Sequence, residues 1–239
     1  MDLKDKVVLV TGASSGLGRV FSEALVGRGA RVFGLARRRE RLDALREALG
    51  ERFHPLVGDV RLEDDVARAF ETVHREAGRL DALINNAGLG KFGPVDRLSV
   101  DEWDLMMETN LRGVFLCTRA AVPVMRRQNE ASGFGGHIVN IASVAGLIGN
   151  PNISAYNATK FGLRGFSEAL MKEVREDGIK VTCLFPGSIA TEFFQVAGVD
   201  LTSNPMQPED VAATVLHVLE TPDNYLISEA VMRPLRPRG

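Results

Sequence analysis

The amino-acid sequence predicts a doubly wound α/β fold, in which helices cover both faces of a parallel sheet. Short apolar runs rich in β-branched residues alternate along the chain with longer segments that have helical periodicity. The short runs are apolar throughout rather than at every second residue, which is typical of strands buried on both faces. Strands that alternate with helices in this way are parallel and are joined by right-handed crossovers.

The predicted elements have recognisable boundaries. Ser99 with Glu102 three residues later is the pattern of a helix N-cap, and Pro208 stands where the last helix begins. The seven predicted strands span residues 6–10, 31–35, 53–59, 81–85, 137–142, 180–185 and 225–232. The predicted helices span residues 16–27, 40–49, 63–77, 100–128, 155–176 and 208–220.

Composition restricts the domain count and the classes of partner. A chain of 239 residues with 45% hydrophobic residues suits one compact domain over 1–239. The formal net charge of -2 gives no electrostatic reason to expect a nucleic acid or a membrane as partner. With no apolar run of about 20 residues and no signal pattern, a cytoplasmic location is expected. Cys117 and Cys183 lie outside any CxxC or Cys/His pattern, so we expect core cysteines and no metal site.

The first candidate site is the turn after the first strand, which reads TGASSGLG over residues 11–18. Gly12, Gly16 and Gly18 would let the backbone turn tightly and approach a pyrophosphate, while the helix N-terminus offers N–H groups to that anion. A strand-to-helix turn without a ligand also uses glycine, and the spacing differs from G-x-G-x-x-G. The position of the turn directly after the first strand nevertheless favours dinucleotide binding.

The end of the second strand indicates which dinucleotide binds. An acid usually holds the ribose 2′-hydroxyl there, whereas this chain has Ala36 followed by Arg37, Arg38 and Arg39. Guanidinium groups bind a 2′-phosphate through charge-assisted hydrogen bonds, so NADP(H) is predicted, with Arg37 and Arg38 at the phosphate. The alternative is that the arginines are the solvated start of the next helix, which we favour for Arg39 and Arg41.

A tyrosine and a lysine one helical turn apart form the second candidate site. Tyr156 and Lys160 project from the same side of the helix predicted over 155–176. A phenol with its ordinary pKa of roughly 10 exchanges protons poorly at neutral pH, and a nearby ammonium lowers that pKa. The alternative is a tyrosine ring that packs in the core beside a lysine reaching to solvent.

Two further polar residues favour a site at this end of the sheet. Ser143 stands just past the fifth predicted strand, at the carboxyl end where open α/β sheets bind ligands. Asn110 lies inside a long helical segment, where an asparagine would bend the helix or bind water. The structural alternatives are a turn role for Ser143 and a local capping role for Asn110.

Taken in order, these features resemble the short-chain dehydrogenase/reductase family, from the first strand to Thr191. The matching residues are TGASSGLG (11–18), GDV (58–60), NNAG (85–88), Asn110, Ser143, Tyr156, Lys160 and PGSIAT (186–191). The resemblance implies a Rossmann-type fold and an NADP-dependent oxidoreductase. Its substrate would be a small or medium ketone or secondary alcohol.

The resemblance also implies a role for each matched residue. Tyr156 would exchange a proton with the substrate oxygen while a hydride moves between the nicotinamide and the substrate carbon. Ser143 would hydrogen-bond that oxygen, Lys160 would hold the nicotinamide ribose and lower the tyrosine pKa, and Asn110 would anchor a water linking Lys160 to solvent. The predicted cofactor-binding residues are Gly12, Ser14, Ser15, Gly16, Leu17, Gly18, Arg37, Arg38, Asp59, Val60, Asn86, Ala87, Gly88, Tyr156, Lys160, Pro186, Gly187, Ile189 and Thr191.

The carboxyl-terminal part departs from the family pattern. The ending EAVMRPLRPRG lacks the family's glycine-rich ending, and its MRP resembles a subgroup that acts on hydroxy acids and small carbonyls. The predicted substrate lid, at about 190–207, is short. Phe193 and Phe194 would either cover an apolar substrate or pack the lid down. Specificity is expected from Val144, Ala145, 150–153, Ser188 and the lid segment 192–205.

Small residues on the predicted helix 155–176 suggest a close neighbour, either a second subunit or the chain's own preceding helix. They are Ala158, Gly162, Gly165 and Ala169. Because the resembled family commonly assembles through this helix, a homodimer or homotetramer is expected. Two other functions stay open: a non-catalytic NADP(H) sensor that grips a protein partner, and a nucleotide-sugar epimerase or dehydratase, which normally needs a larger substrate region.

Overall fold

A computed structural model describes residues 1–193 and 203–236 of the chain. Its strands are β1 Val7–Thr11, β2 Arg31–Ala36, β3 Phe53–Val57, β4 Ala82–Asn85, β5 Gly136–Ile141, β6 Ile179–Pro186 and β7 Glu229–Met232. Its longer helices are α1 Gly16–Gly27, α2 Arg39–Leu49, α3 Glu63–Ala77, α4 Val100–Met107, α5 Gly113–Ser132, α6 Ser154–Val174 and α7 Pro208–Glu220.

All seven strands form one parallel sheet in the order β3-β2-β1-β4-β5-β6-β7. The predicted doubly wound fold is confirmed. The chain moves outward from β1 to β3 and then returns to place β4 on the other side of β1. The strand order therefore reverses between β1 and β4, and a crevice opens there above the carboxyl ends of the strands.

Two apolar cores lie on opposite faces of the sheet, because alternate residues of each strand point to opposite sides. In β1, Val8 and Val10 pack in one core and Val7 and Leu9 in the other. The first core includes side chains of α1, α2 and α7, and the second includes those of α3, α5 and α6. Cys117 and Cys183 are buried and free, so the prediction of two core cysteines is confirmed.

The predicted helix over 100–128 is not continuous. Ser99 and Glu102 form the predicted capping box at the start of α4, but residues Glu108–Arg112 adopt a π-helical turn before α5 begins. A π turn places one extra residue in the helix and is common at functional sites. Asn110 lies in the middle of this turn, so of its two predicted effects the disturbance of the helix is the one observed.

The predicted lid has a fixed base. The backbone N–H of Ala190 donates to the carbonyl of Met206 at 2.9 Å, and that of Met206 donates to the carbonyl of Ser188 at 3.0 Å. Residues 194–202, which include Phe194 and most of the predicted lid, lie outside the described residues. Among the helices of residues 1–193 and 203–236, none has both the length and the apolar character needed to cross a bilayer.

Candidate active site

A cavity of about 350 Å³ occupies the crevice at the carboxyl ends of the strands. The structure brings most of the predicted site residues into its wall. The predicted residues that line it are Gly12, Ser14, Ser15, Gly16, Leu17, Arg37, Arg38, Asp59, Val60, Asn86, Ala87, Gly88, Ser143, Tyr156, Lys160, Pro186, Ile189 and Thr191. Three predicted residues, Gly18, Asn110 and Gly187, do not line it.

Gly18 and Gly187 were predicted to contact the cofactor, but each packs against another part of the protein instead. A Cβ at Gly18 would lie 2.3 Å from the carbonyl oxygen of Gly12, so this glycine lets α1 pack against its own preceding turn. A Cβ at Gly187 would lie 3.1 Å from Cδ of Pro234, and the Gly187 N–H donates to Met232 at 2.9 Å. Both glycines therefore support the cavity from behind rather than forming its surface.

The first turn presents backbone donors to the cavity. Gly12 and Gly16 have φ angles of +70° and +50°, which residues other than glycine rarely adopt. Ser15 stands at the N-cap of α1 but makes no side-chain cap hydrogen bond, and the first turn of α1 has no acidic residue. The positive end of the helix dipole is therefore not neutralised by a local carboxylate, and this donor set fits the pyrophosphate of a dinucleotide.

Arg38, rather than Arg37, reaches across the first turn. Its Nη2 donates to Ser15 Oγ at 2.6 Å and to Ser14 Oγ at 3.0 Å. Burial and the neighbouring Arg41 lower the pKa of Arg38. Two hydroxyls and a guanidinium in this arrangement suit a phosphate with several oxygen atoms.

Arg37 lies at the outer edge of the same region. Its side chain is 64% exposed, and its Nη1 lies 3.9 Å from Oδ2 of Asp59. Burial opposes ionisation of Asp59, but hydrogen bonds from Arg61 outweigh it, so the pKa of Asp59 is lowered. Arg41 is exposed on α2 and pairs with Glu192 at 3.1 Å.

The other end of the cavity holds Tyr156 and Lys160, which both project from α6. Their exposed fractions are only 7% and 6%, and the Lys160 Nζ lies 5.6 Å from the centre of the Tyr156 ring. The ammonium donates a hydrogen bond to the carbonyl oxygen of Ile141 at 2.9 Å. Burial lowers the pKa of Lys160 to about 8. The predicted alternative of a lysine reaching to solvent is therefore wrong.

The pKa of Tyr156 differs from the sequence-based expectation. Burial raises it to about 12, although a hydrogen bond with Ser143 acts in the opposite direction. We expected Lys160 to lower this pKa, but its ammonium points to the Ile141 carbonyl and burial dominates. Because burial dominates, the phenol is held in its protonated form at neutral pH. Ser143 also accepts a hydrogen bond from the N–H of Ala145 at 3.1 Å, which orients its hydroxyl.

Asn110 lies behind the cavity wall and holds it in place. Its side chain exchanges two hydrogen bonds with the backbone of Leu89, and its Nδ2 also donates to Thr159 Oγ1 at 3.2 Å. A Cβ placed at Gly88 would lie 3.3 Å from Asn110 Oδ1 and 3.8 Å from Lys160 Nζ. The two polar groups therefore flank the same small space.

Several residues that shape the site were missed by the sequence analysis. Thr11 Oγ1 accepts hydrogen bonds from the N–H groups of Asn86 and Ala87, both at 3.0 Å, and so ties the loop after β4 to the first turn. Phe92 packs edge-on against Tyr156, with ring centres 5.4 Å apart. Thr11 belongs to the quoted glycine-rich motif and was a detectable signal, whereas nothing in the local pattern distinguishes Phe92.

Comparison with known proteins identifies the family. The model of the short chain dehydrogenase family matches residues 6–200. An uncharacterized oxidoreductase of Staphylococcus saprophyticus is 34% identical to this chain, and the alignment covers 98% of this chain and 97% of the relative. The farnesol dehydrogenase of Aedes aegypti is 35% identical, covering 96% of each chain. The closed form of a serine dehydrogenase complexed with NADP+ superposes with a TM-score of 0.87 at 31% identity, over 95% of this chain and 94% of that one. The chain belongs to the short-chain dehydrogenase family.

Proposed function

We propose that this protein transfers a hydride between NADP(H) and a small or medium ketone or secondary alcohol, with Tyr156 as general acid and base. The observation that carries the proposal is the position of Tyr156. Its buried phenol shares one cavity with Ser143, the glycine-rich turn and two arginines. A proton donor and a phosphate-binding end in the same crevice are what such a reaction requires.

NADP(H) is favoured over NAD(H) by the residues at the phosphate-binding end. Arg37 and Arg38 follow β2, where a carboxylate would repel a 2′-phosphate, and the hydroxyls of Ser14 and Ser15 lie beside Arg38. The related serine dehydrogenase structure contains NADP+. Gly12, Gly16 and the start of α1 would hold the pyrophosphate. The rest of the cofactor would contact Asp59, Val60, Asn86, Ala87, Gly88, Pro186, Ile189 and Thr191.

The nicotinamide supplies or accepts the hydride when the cofactor is bound. In the direction of reduction, Tyr156 donates its phenolic proton to the substrate oxygen, and Ser143 hydrogen-bonds the same oxygen. The raised pKa of Tyr156 keeps this proton in place until negative charge develops on the substrate. Lys160, with a pKa of about 8, retains much of its positive charge at neutral pH, and this charge favours the phenolate that remains after Tyr156 has donated its proton.

Asn110 would support the return of protons as a positioning residue. It fixes Leu89 in the cavity wall, and it shares with Lys160 the small space next to Gly88. A water molecule in that space would link the ammonium to solvent, as the family resemblance implies. This water is part of the proposal.

A homodimer or homotetramer is also proposed. On α6 the small residues divide into two groups: Gly162 faces the chain's own Leu111, which lies 3.2 Å from a Cβ placed there, while the others are exposed. The apolar side chains Phe115 on α5 and Phe161 on α6 are exposed as well. A second copy of this surface would bury them, and light scattering of the wild type and Phe161→Glu tests this.

We also propose a cytosolic location, which suits two free cysteines.

The experiment that tests the function uses the wild-type protein with NADPH. A panel of ketones and aldehydes is added, and loss of the nicotinamide absorbance is followed. We expect turnover of at least one uncharged ketone. Tight NADPH binding with no turnover across the panel, or with secondary alcohols and NADP+, would overturn the catalytic proposal and favour the sensor.

A further inference from the structure

Two phenylalanines pack against the ring of Tyr156. The Phe92 and Phe193 ring centres lie 5.4 Å and 5.8 Å from that of Tyr156 and 6.3 Å from each other. We call Phe92 and Phe193 the aromatic collar. Phe193 lines the cavity, and Phe92 packs against both Phe193 and Tyr156, so a group attached to a carbonyl at the Tyr156 hydroxyl would lie beside a wall that these rings support.

The surroundings of the collar are apolar as well. Met106, Ala145 and Ala155 are buried in one cluster with Tyr156, and the partly buried members packed against it are Leu89, Phe92, Leu98, Ile153 and Phe193. Two of these residues, Ala145 and Ile153, were predicted from the sequence to determine specificity. The collar therefore belongs to a continuous hydrocarbon cluster, and its members Leu89 and Phe193 line the cavity, which favours an uncharged ligand group there.

The charged side chains that line the described part of the cavity are engaged elsewhere. Towards the phosphate-binding end, Arg38 bonds with Ser15 at 2.6 Å, while Glu192 pairs with Arg41 at 3.1 Å. Arg37 lies 3.9 Å from Asp59.

At the collar end, the only cation lining the described cavity is Lys160, which donates to Ile141 at 2.9 Å. Lys91 and Arg97 share the loop of Phe92 but do not line the cavity. The sequence of 194–202 contains neither lysine nor arginine. Among the described residues that line the cavity, a substrate carboxylate at the collar would therefore find no cation except Lys160, which already bonds to Ile141, and it would lose its hydration.

Gly90 makes room for the collar. A Cβ at this position would lie 2.6 Å from Cε1 of Phe92 and 3.0 Å from Cζ of Phe193. Any larger residue would displace one or both rings. The glycine thus sets how close the collar stands to the reacting carbonyl.

We propose that the collar selects ketones whose carbonyl carries an uncharged, apolar substituent, and that it disfavours oxo acids with a carboxylate near the carbonyl. This inference rests on the proposed function. It separates two kinds of substrate that the relatives leave open, since one acts on farnesol and another on serine by name. The burial of an aromatic or hydrocarbon group against Phe92 and Phe193 supplies the binding energy.

The test compares 4-phenylbutan-2-one, methyl 3-oxobutanoate and 3-oxobutanoate as substrates with saturating NADPH. We expect kcat/KM for 4-phenylbutan-2-one to exceed that for 3-oxobutanoate by about 100-fold, because the acid must bury a charge without a partner. The methyl ester, which removes only the charge, should fall between them. An equal or higher kcat/KM for 3-oxobutanoate would overturn the inference. If Lys91→Gln then lost the activity with 3-oxobutanoate, Lys91 would be the cation that binds the carboxylate.

The variant Phe92→Ala tests the collar itself. It should lower kcat/KM for 4-phenylbutan-2-one about ten-fold and leave that for 3-oxobutanoate within about two-fold. Tyr225→Ala removes an exposed aromatic side chain that does not line the cavity; it is the control and should change neither. Equal losses for both substrates in Phe92→Ala, in a protein that melts like the wild type, would contradict a role in selection.

Calorimetric titration of the NADPH-bound protein separates this inference from the proposed function. If no ketone is reduced but 4-phenylbutan-2-one still binds more tightly than 3-oxobutanoate, the catalytic proposal fails and the collar inference stands. If the acid binds as tightly as the ketone, or if neither binds, the collar inference fails. If the protein reduces ketones but prefers 3-oxobutanoate to 4-phenylbutan-2-one, the proposed function stands and the collar inference fails.

Discussion

Asn110 holds the backbone of Leu89 at two points. Its Nδ2 donates to the Leu89 carbonyl and its Oδ1 accepts from the Leu89 N–H, both at 2.8 Å. Leu89 lines the cavity and Asn110 is 1% exposed, so a buried amide in the π turn sets the position of the cavity wall. This connection joins the local disturbance of a helix to the geometry of the site.

The variant Asn110→Ala should therefore affect both stability and activity. It leaves the N–H and carbonyl of Leu89 without these partners, and we expect the free energy of unfolding to fall by about 1–3 kcal/mol. We also expect kcat/KM to fall, because the wall is displaced. Urea denaturation and ketone reduction measure the two effects. Asn224→Ala, at an exposed position, is the control. An unchanged free energy of unfolding in Asn110→Ala would show that the two hydrogen bonds to Leu89 do not hold the cavity wall.

Substitution of the two arginines after β2 should change the cofactor preference. We expect Arg38→Ala to raise the KM for NADPH by about 10-fold or more and to leave the KM for NADH nearly unchanged, since only NADPH has a 2′-phosphate. Arg37→Ala should have a smaller effect because its side chain is more exposed. Arg39→Ala on α2 serves as the control. Equal increases for both cofactors would mean that Arg38 supports the turn and does not recognise phosphate.

The buried Lys160 should make stability depend on pH in the alkaline range. Burial lowers its pKa from the ordinary 10.5 to about 8. Between these values the unfolded chain binds more protons than the folded protein, so the free energy of unfolding rises with pH.

Lys160→Met removes this contribution. The stability of the wild type relative to Lys160→Met should therefore increase from pH 8 to pH 10 by roughly 2–3 kcal/mol. The titration of Tyr156 is present in both proteins and largely cancels. Chemical denaturation at several pH values measures the difference, and a difference that does not change with pH would show that Lys160 is not desolvated.

Two glycines at the ends of α1 should respond to alanine in opposite directions. A Cβ at Gly18 would lie 2.3 Å from the carbonyl oxygen of Gly12, whereas nothing lies within 4 Å of a Cβ at Gly27. We expect Gly18→Ala to destabilise the protein by about 2–4 kcal/mol through overpacking, and Gly27→Ala to stabilise it by up to about 1 kcal/mol. Thermal melting compares them. Equal melting temperatures for the two variants would rule out the proposed packing role of Gly18.

The sequence predicted the sheet and the helices because both patterns are local. Continuous apolar runs marked the buried strands, and Ser99 with Glu102 marked the start of α4. The π turn was not predicted, because the bonds that stabilise it join Asn110 to Leu89, which is 21 residues away. An asparagine in a helix indicates a disturbance but does not indicate which backbone group it will bind.

The properties of the site that depend on contacts between distant residues were likewise not predicted. The motifs located the residues that line the cavity, but they did not give the direction of the Lys160 ammonium or the extent of burial of Tyr156. Those properties set the pKa of the phenol, and they depend on packing from β5 and from the loop that contains Phe92. Likewise, Phe92 and Phe193 stand about a hundred residues apart in the sequence, and no spacing rule joins them.

Ketone reduction by Tyr156→Phe tests whether the hydroxyl of Tyr156 carries the proton of the reaction. The substitution removes only the hydroxyl and keeps the ring that packs against Phe92 and Phe193. We expect kcat to fall by about 100-fold or more, while the Kd for NADPH stays within about three-fold. A Tyr156→Phe protein that reduces the same ketone at a rate close to that of the wild type would contradict the mechanism.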